Sequence, residues 1–461
     1  MSRYKRYERY KDSGVKWIGE IPEHWGVKPL KRVFKIINGG TPSSSEESYW
    51  NGEIVWVTPN DLSKLTEACI VDSERKITQD GLHNCSARIV PKGSIVISTR
   101  APIGYVAIAG VPLCTNQGCK SLVAINKVNP KYFYYWMHSI SFYLNVLGQG
   151  TTFIELSNSS LSMVELLTPS INEQKAIANF LDQKTAEIDS LIADKEKLIE
   201  LLQEKRQAII TEAVTKGLNP NVRMKDSGIE WIGEIPEHWI LSKIKYVSLI
   251  NNKTLSESTD DDYEIDYIDI SSVTSIGEID GIQRLNFKDA PSRARRILSK
   301  GDTIVSTVRT YLKAIAFIEN VQSNLICSTG FAVLTPLSKV VPKYLFYLMR
   351  SEKYVNEIVR RSVGVSYPAI NASDIGALEC AIPNKDEQKY IVEYLDNCTT
   401  QIDQLVNDIQ TQIQKLKEYR QSLISEAVTG KIDVREFGNM SEVIYYEQNN
   451  SPCSEFTHAA E

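Results

Sequence analysis

The chain has 461 residues, 42% hydrophobic and 24% charged, a globular composition long enough for two or three separate cores rather than a fibre or a disordered tail. No apolar run approaches the roughly 18 residues of a membrane span, and the basic start MSRYKRYERYK lacks a following apolar stretch; neither a membrane partner nor a signal peptide is expected, and the location expected is cytoplasmic. The net charge of −5 argues against a nucleic-acid partner only until its distribution is read, because residues 431–461 hold six acids against Lys431 and Arg435 and leave the rest of the chain near −1.

In chain order the first recognisable element is a tryptophan-rich segment. KDSGVKWIGEIPEHW at 11–25 returns as KDSGIEWIGEIPEHW at 225–239, an offset of 214 with 13 of 15 positions identical. Residues 172–215 and 386–429 repeat at the same offset with 21 of 44 positions identical. The chain is thus a motif, a domain and a helix written twice. The divisions are an N-terminal segment 1–25, a domain 26–168, a helix 169–217, a linker carrying the second motif 218–239, a domain 240–382, a helix 383–432 and an acidic tail 433–461 expected to be disordered.

Both domains read as α+β with a strand majority. Runs such as Ile54–Val57, Ser94–Ser98 and Tyr105–Ala109 in the first, and Asp266–Ile270, Thr303–Ser306 and Ala314–Ile318 in the second, are β-rich and bounded by Gly, Pro or Asn. A short helix is expected after each Pro-Lys-Tyr, at 130–132 and 342–344. Lys92-Gly93 matches Lys300-Gly301 and Ser98-Thr99 matches Ser306-Thr307, but the offset drifts to 208 and 212, as loop insertions in a shared fold would produce.

The long segments read as helices that open on capping patterns, Ser170-x-x-Glu173 and Asn384-x-x-Glu387, after Pro169 and Pro383. In the second, Leu395, Ile402, Ile409, Leu416 and Leu423 recur every seven residues, with Leu405, Val406 and Ile413 expected to widen the stripe. The first has Leu181, Ile188, Leu202 and Ile209, interrupted by Lys195. Such rods, roughly 65 Å long at 1.5 Å per residue, need a partner. The nearest candidate is the other copy, packed antiparallel about a pseudo-two-fold axis; pairing between molecules is the alternative.

No enzyme constellation emerges. The chain lacks a phosphate-binding G-x-x-x-x-G-K-[ST] loop, a G-x-G-x-x-G turn and the Asn/Asp-Pro-Pro-aromatic motif of DNA amino-methyltransferases. Eight scattered cysteines without C-x-x-C read as reduced packing residues, and no metal site is expected. His24 and His238 would need acidic or histidine partners that the motif does not present beyond Glu23 and Glu237, so the motif reads as a Pro-turned segment whose tryptophans pack on a scaffold. Glu387-Gln388-Lys389, mirrored at 173–175, reads as a helix cap rather than a nuclease remnant.

Recognition remains. In the first domain the candidates for DNA contact are Thr58, Asn60, Lys92, Ser98, Thr99, Arg100, Gln117, Thr151, Thr152 and Phe153; in the second they are Arg293, Arg295, Arg296, Arg309, Tyr311, Lys313, Ser366 and Tyr367. Asn and Gln can pair bidentately with adenine and Arg with guanine, while Ser, Thr and Lys suit phosphates. Polar loops of different composition at equivalent places point to readers of two different sequences.

These marks together resemble the specificity subunits of type I restriction-modification enzymes. The resemblance rests on Trp-Ile-Gly-Glu-Ile-Pro-Glu-His-Trp before each domain, Ala-Pro-Ser-Arg-Ala-Arg-Arg at 290–296, Gly-Asp-Thr-Ile-Val-Ser-Thr-Val-Arg at 301–309 and Gly-Thr-Thr-Phe at 150–153. The Glu-Gln-Lys-x-Ile helix starts and Glu-Ala-Val-Thr helix ends add to it. It implies two target-recognition domains reading the halves of a split double-stranded DNA site, with the helices as a ruler. It also implies two methyltransferase subunits docked near Trp17, Trp25, Trp231, Trp239, Arg206 and Arg420, and restriction subunits that translocate DNA. S-adenosylmethionine, ATP and Mg would then belong to those partners, and this chain would not be an enzyme. A non-DNA scaffold carrying two binding domains on a helical hairpin is the alternative, and the acidic pI suits it.

Overall fold

A computed structural model describes residues 4–100, 102–148, 154–321 and 324–437. Two compact units emerge, Met1–Asp194 with Gln412–Glu461 and Lys195–Thr411. Each contains one variable domain and a stretch of both long helices, Ile171–Lys216 and Lys385–Val428. The helices start two residues inside the expected bounds of 169 and 383, and the second stops four residues short of 432; Gly217 and Gly430, at φ 75° and 70°, lie just beyond the helix ends.

In the first unit, strand Gly26–Pro29 pairs antiparallel with Glu165–Thr168, Gly26 opposite Thr168. The chain between them is thereby closed into one body. It holds a five-stranded sheet ordered Phe34–Asn38, Cys119–Ala124, Ile95–Ser98, Val106–Ala109 and Cys69–Ile70, antiparallel except for its last pair. A smaller sheet places Trp50–Val57 between Cys114–Thr115 and Lys76–Ile77. Period-two alternation turns Val96, Ala107 and Cys119 into one core with Val57 and Leu62, while Trp50, Trp56 and Ile77 form another.

The second unit is closed by the same device, Ile240–Lys243 against Glu379–Ile382, with Ile240 opposite Ile382. Inside lie an antiparallel sheet ordered Ser248–Ile250, Phe331–Pro336, Thr303–Ser306 and Ile315–Phe317, and a mixed sheet ordered Gln283–Asn286, Glu264–Ile268, Leu325–Ser328 and Ala294–Ile297. The strand expected to run to Ile270 stops at Ile268, since Ile270–Ser272 turns as a short 3-10 helix.

Within each unit the helices run antiparallel. Asp189 bonds Arg420 in the first unit, and there Tyr132 donates its hydroxyl to Leu167 O, beside the start of one helix, and to Val428 O, the end of the other. In the second unit Arg206 bonds Asp403, and Gly217 lies beside Glu387. The seam differs in detail from the expected stripe. Leu395, Ile402, Ile409 and Ile413 are buried, but Leu405 is 46% exposed. Val406 and Leu416 are half-buried, so of the expected stripe only Leu405 stands outside the buried rows.

The acidic tail is not structureless throughout: Val434 is buried, Asp433 N donates to Lys5 O at 2.7 Å, and Arg435 grips the Asp433 carboxylate. Residues 438–461 lie outside the described residues. Cys85, Cys114, Cys119, Cys327, Cys380 and Cys398 are free thiols; Cys69 is not among them and departs from the expectation of reduced cysteines, and Cys453 lies outside the described residues. Among the described residues no helix is long and apolar enough to cross a membrane.

Candidate nucleic-acid interface

Two identical sets of anchors hold the variable domains. Trp25 and Trp239 are almost wholly buried, and each donates its indole N–H to the first-turn glutamate of a long helix, Glu173 Oε1 at 3.2 Å and Glu387 Oε1 at 3.1 Å. His24 Nε2 lies 2.7 Å from Glu173 Oε1 and His238 Nε2 lies 2.8 Å from Glu387 Oε2. The acid partner of each motif histidine is therefore the helix-capping glutamate, 149 residues downstream in both copies. Burial opposes the charge on Glu173, but bonds from His24, Ser170 and Trp25 outweigh it and hold the carboxyl below its ordinary range. Gln174 and Gln388, next in the helix, bond Asn129 N and Val341 N and so position the Pro-Lys-Tyr helices.

Those helices, Pro130–Ser139 and Pro342–Arg350, supply a second anchor. Lys131 and Tyr135 both meet Asp182, and Lys343 and Tyr347 both meet Asp396, at 3.0 and 2.6 Å in the second copy. Tyr135 and Tyr347 are pushed up, first by burial and then by the adjoining aspartate, so their hydroxyls donate to it as neutral groups. Asp182 and Asp396 escaped the sequence reading, although their shared offset of 214 marks them.

Of the expected docking residues, Trp25 and Trp239 are interior. Trp17 is 41% exposed and stacks on Tyr143, while Trp231 packs edge-on against Tyr354. Arg206 and Arg420 face the neighbouring helix and are paired there.

In the first domain the structure divides the expected contact residues. Ser98 and Thr99 are fully buried and are spent on Pro102 O and Gly118 O. Thr58 caps the short helix Pro59–Ser63 in a reciprocal box with Asp61. Asn60, Lys92, Arg100 and Gln117 are exposed. Asn60 bonds Glu74, Gln117 bonds Thr41, and Arg100 Nε donates to Glu155 Oε2 at 3.0 Å, so Arg100 has a carboxylate partner. Thr151, Thr152 and Phe153 lie outside the described residues.

The second domain presents more uncompensated charge. Arg293 is paired with Asp269, Arg295 lies 4.5 Å over the Phe287 ring, and Arg296 bonds Thr254. Arg309, Tyr311, Lys313, Ser366 and Tyr367 are exposed on two loops, 309–313 and 363–367, which meet where Arg309 N donates to Pro368 O. Arg309 Cζ stands 4.7 Å over the Tyr367 ring. Among the described residues no cluster of His, Cys, Asp and Glu is placed to hold a metal ion.

Two duplicated scaffolds carrying differently equipped surfaces match one family. Residues 22–201 and 236–415 each fit the type I restriction modification DNA specificity domain, and the chain belongs to that family. It is 30% identical over 431 residues to the type I restriction enzyme MjaIX specificity subunit of Methanocaldococcus jannaschii, covering 91% of this chain and 96% of that one. Its fold is shared with a chain from a type I R-M system solved for its assembly and conformational transition, at a TM-score of 0.66, 16% identity and coverage of 88% and 98%. The HsdS subunit from Thermoanaerobacter tengcongensis matches at a TM-score of 0.52, 16% identity and coverage of 89% and 98%. The non-DNA scaffold is not favoured beside these relatives.

Proposed function

We propose that this chain reads a bipartite, asymmetric site on double-stranded DNA, one half with each variable domain, and scaffolds the subunits that act on it. Two methyltransferase subunits would dock on the repeated helices and Trp-rich segments, and translocating restriction subunits would join them in the cytoplasm. S-adenosylmethionine, ATP and Mg would be bound by those partners, and this chain would contribute recognition without catalysis. The observation that carries the reading is the pairing of duplicated anchors, down to Glu173 with His24 and Glu387 with His238, with reading surfaces that differ. Identical function in the two halves would favour identical surfaces; a split asymmetric target requires different ones.

The test is co-expression with candidate methyltransferase subunits, followed by mapping of methylated adenines in the host DNA. A bipartite motif with an unread spacer is the expected result. Methylation at a continuous motif, or none with any partner, would count against the proposal.

A further inference from the structure

One surface of the second domain is costly to leave in water. Val365 is 101% and Val363 81% exposed, and Tyr367, Tyr311 and Leu312 stand out beside them. Single exposed apolar residues need no account, but five on two adjoining loops do. The loops are firmly built. Val363 and Ala369 exchange main-chain bonds of 2.8 and 3.0 Å, Arg309 N donates to Pro368 O at 2.7 Å, and the hydroxyls of Thr310 and Ser362 lie 2.8 Å apart. Arg309 and Lys313 both adopt left-handed backbone, at φ 49° and 55°, which the surroundings must sustain. Gly364, at φ 118°, turns the tip so that Val365 stands clear.

We propose that Val365 is the point of an apolar wedge that enters between base pairs of duplex DNA in the half-site read by this domain, while Arg309, stacked on Tyr367, and Lys313 hold the flanking phosphates. The inference rests on the DNA-reading function proposed above. Charge selects the occupant. Arg293, Arg360 and Arg361 all have carboxylate partners, whereas among the described residues Arg309 and Lys313 have no ion-pair partner. A protein laid over the apolar tip would strip water from those two cations and would have to supply acids to match. The DNA backbone supplies them on both sides of any step. Apolar side chains flanked by cations are the means by which proteins unstack and kink a duplex.

The probe is a duplex carrying the site mapped by methylation, with 2-aminopurine replacing one purine at a time, bound to the complex of this chain with its methyltransferase subunits. A several-fold fluorescence rise is expected at one step of one half-site, away from the methylated adenine; Val365→Ser abolishes it and Val365→Leu keeps it. A flat profile from a duplex that is bound, or a rise that survives Val365→Ser, overturns the wedge and leaves the DNA-reading function standing. Failure of Val365→Ser to assemble with the methyltransferase in the absence of DNA would assign the surface to a protein and also overturn it. A wild-type complex that does not bind the mapped duplex would remove the reading function and the wedge with it.

Discussion

Arg206 and Asp403 meet across the helix pair of the second unit as a two-pronged ion pair, Nε to Oδ1 at 2.9 Å and Nη2 to Oδ2 at 3.1 Å. Arg420 and Asp189 repeat it in the first unit at 2.9 and 3.2 Å. Each residue of one pair stands 214 positions from its counterpart in the other, with the helices exchanged. Planar two-pronged geometry fixes register more sharply than a single contact, although partly exposed pairs contribute only about 1 kcal/mol or less. Arg206→Ala should therefore lower the melting midpoint by about 2–4 °C. Arg206→Asp should cost more, and adding Asp403→Arg should recover part of the loss. Calorimetry on the three variants checks this; no recovery in the double variant would mean that the pair contributes nothing.

The Glu173 carboxyl titrates below its ordinary value in the folded chain, because its hydrogen bonds from His24, Ser170 and Trp25 outweigh burial. The folded state therefore binds that proton less readily than the unfolded state. Its stabilisation is present above the ordinary value of 4.5 and is lost as pH falls through the lower folded value. Melting midpoints measured from about pH 6 down to about pH 3 should fall more steeply for the wild type than for Glu173→Gln. Equal slopes would show that the carboxylate is not what the cap depends on.

Much of this scaffold is legible in the sequence. The offset of 214 and the capping patterns located the long helices, since both are local signals or exact repeats. The partner of His24 was not legible, because Glu173 lies 149 residues away and no local pattern joins them. Only the equal separation of His238 and Glu387 could have suggested it. Ser98 and Thr99 looked like loop hydroxyls at a strand end, yet both are buried. The main chain there stays covered, with Thr99 N donating to Gly118 O and Leu156 N donating to Thr99 O. The Val363–Tyr367 loop carries no periodicity, and its exposure emerges only once its supports are seen.

Arg309 and Arg100 should behave differently on DNA despite similar expectations from sequence. Arg309 is stacked and uncompensated, whereas Arg100 already serves Glu155. Arg309→Ala should weaken binding of the methyltransferase complex by about tenfold and reduce the salt dependence by about one ion. Arg100→Ala should do less, and Glu155→Ala should tighten non-specific binding by freeing Arg100. Titrations at two salt concentrations distinguish these outcomes; equal losses for both arginines would contradict the assignment.

Shortening a long helix tests whether it spaces the two readings. Between Asp189 and Arg206 lies a stretch free of those cross-helix ion pairs. Removing four residues there should alter the length of the unread spacer in the methylated motif and leave both sets of read bases unchanged. Methylome mapping of the variant decides, and altered bases would defeat the ruler.

The ladders that join Gly26 to Thr168 and Ile240 to Ile382 each have four rungs, and each lies at the threshold of a long helix. A body inserted between such strands is fastened at a neck. Its interior can be replaced wholesale, provided the newcomer brings both ends to the same rungs and offers a lysine and a tyrosine to the waiting aspartate. A chain so constructed can acquire a new vocabulary by exchanging one insert, without renegotiating its fit to the rest of the machine.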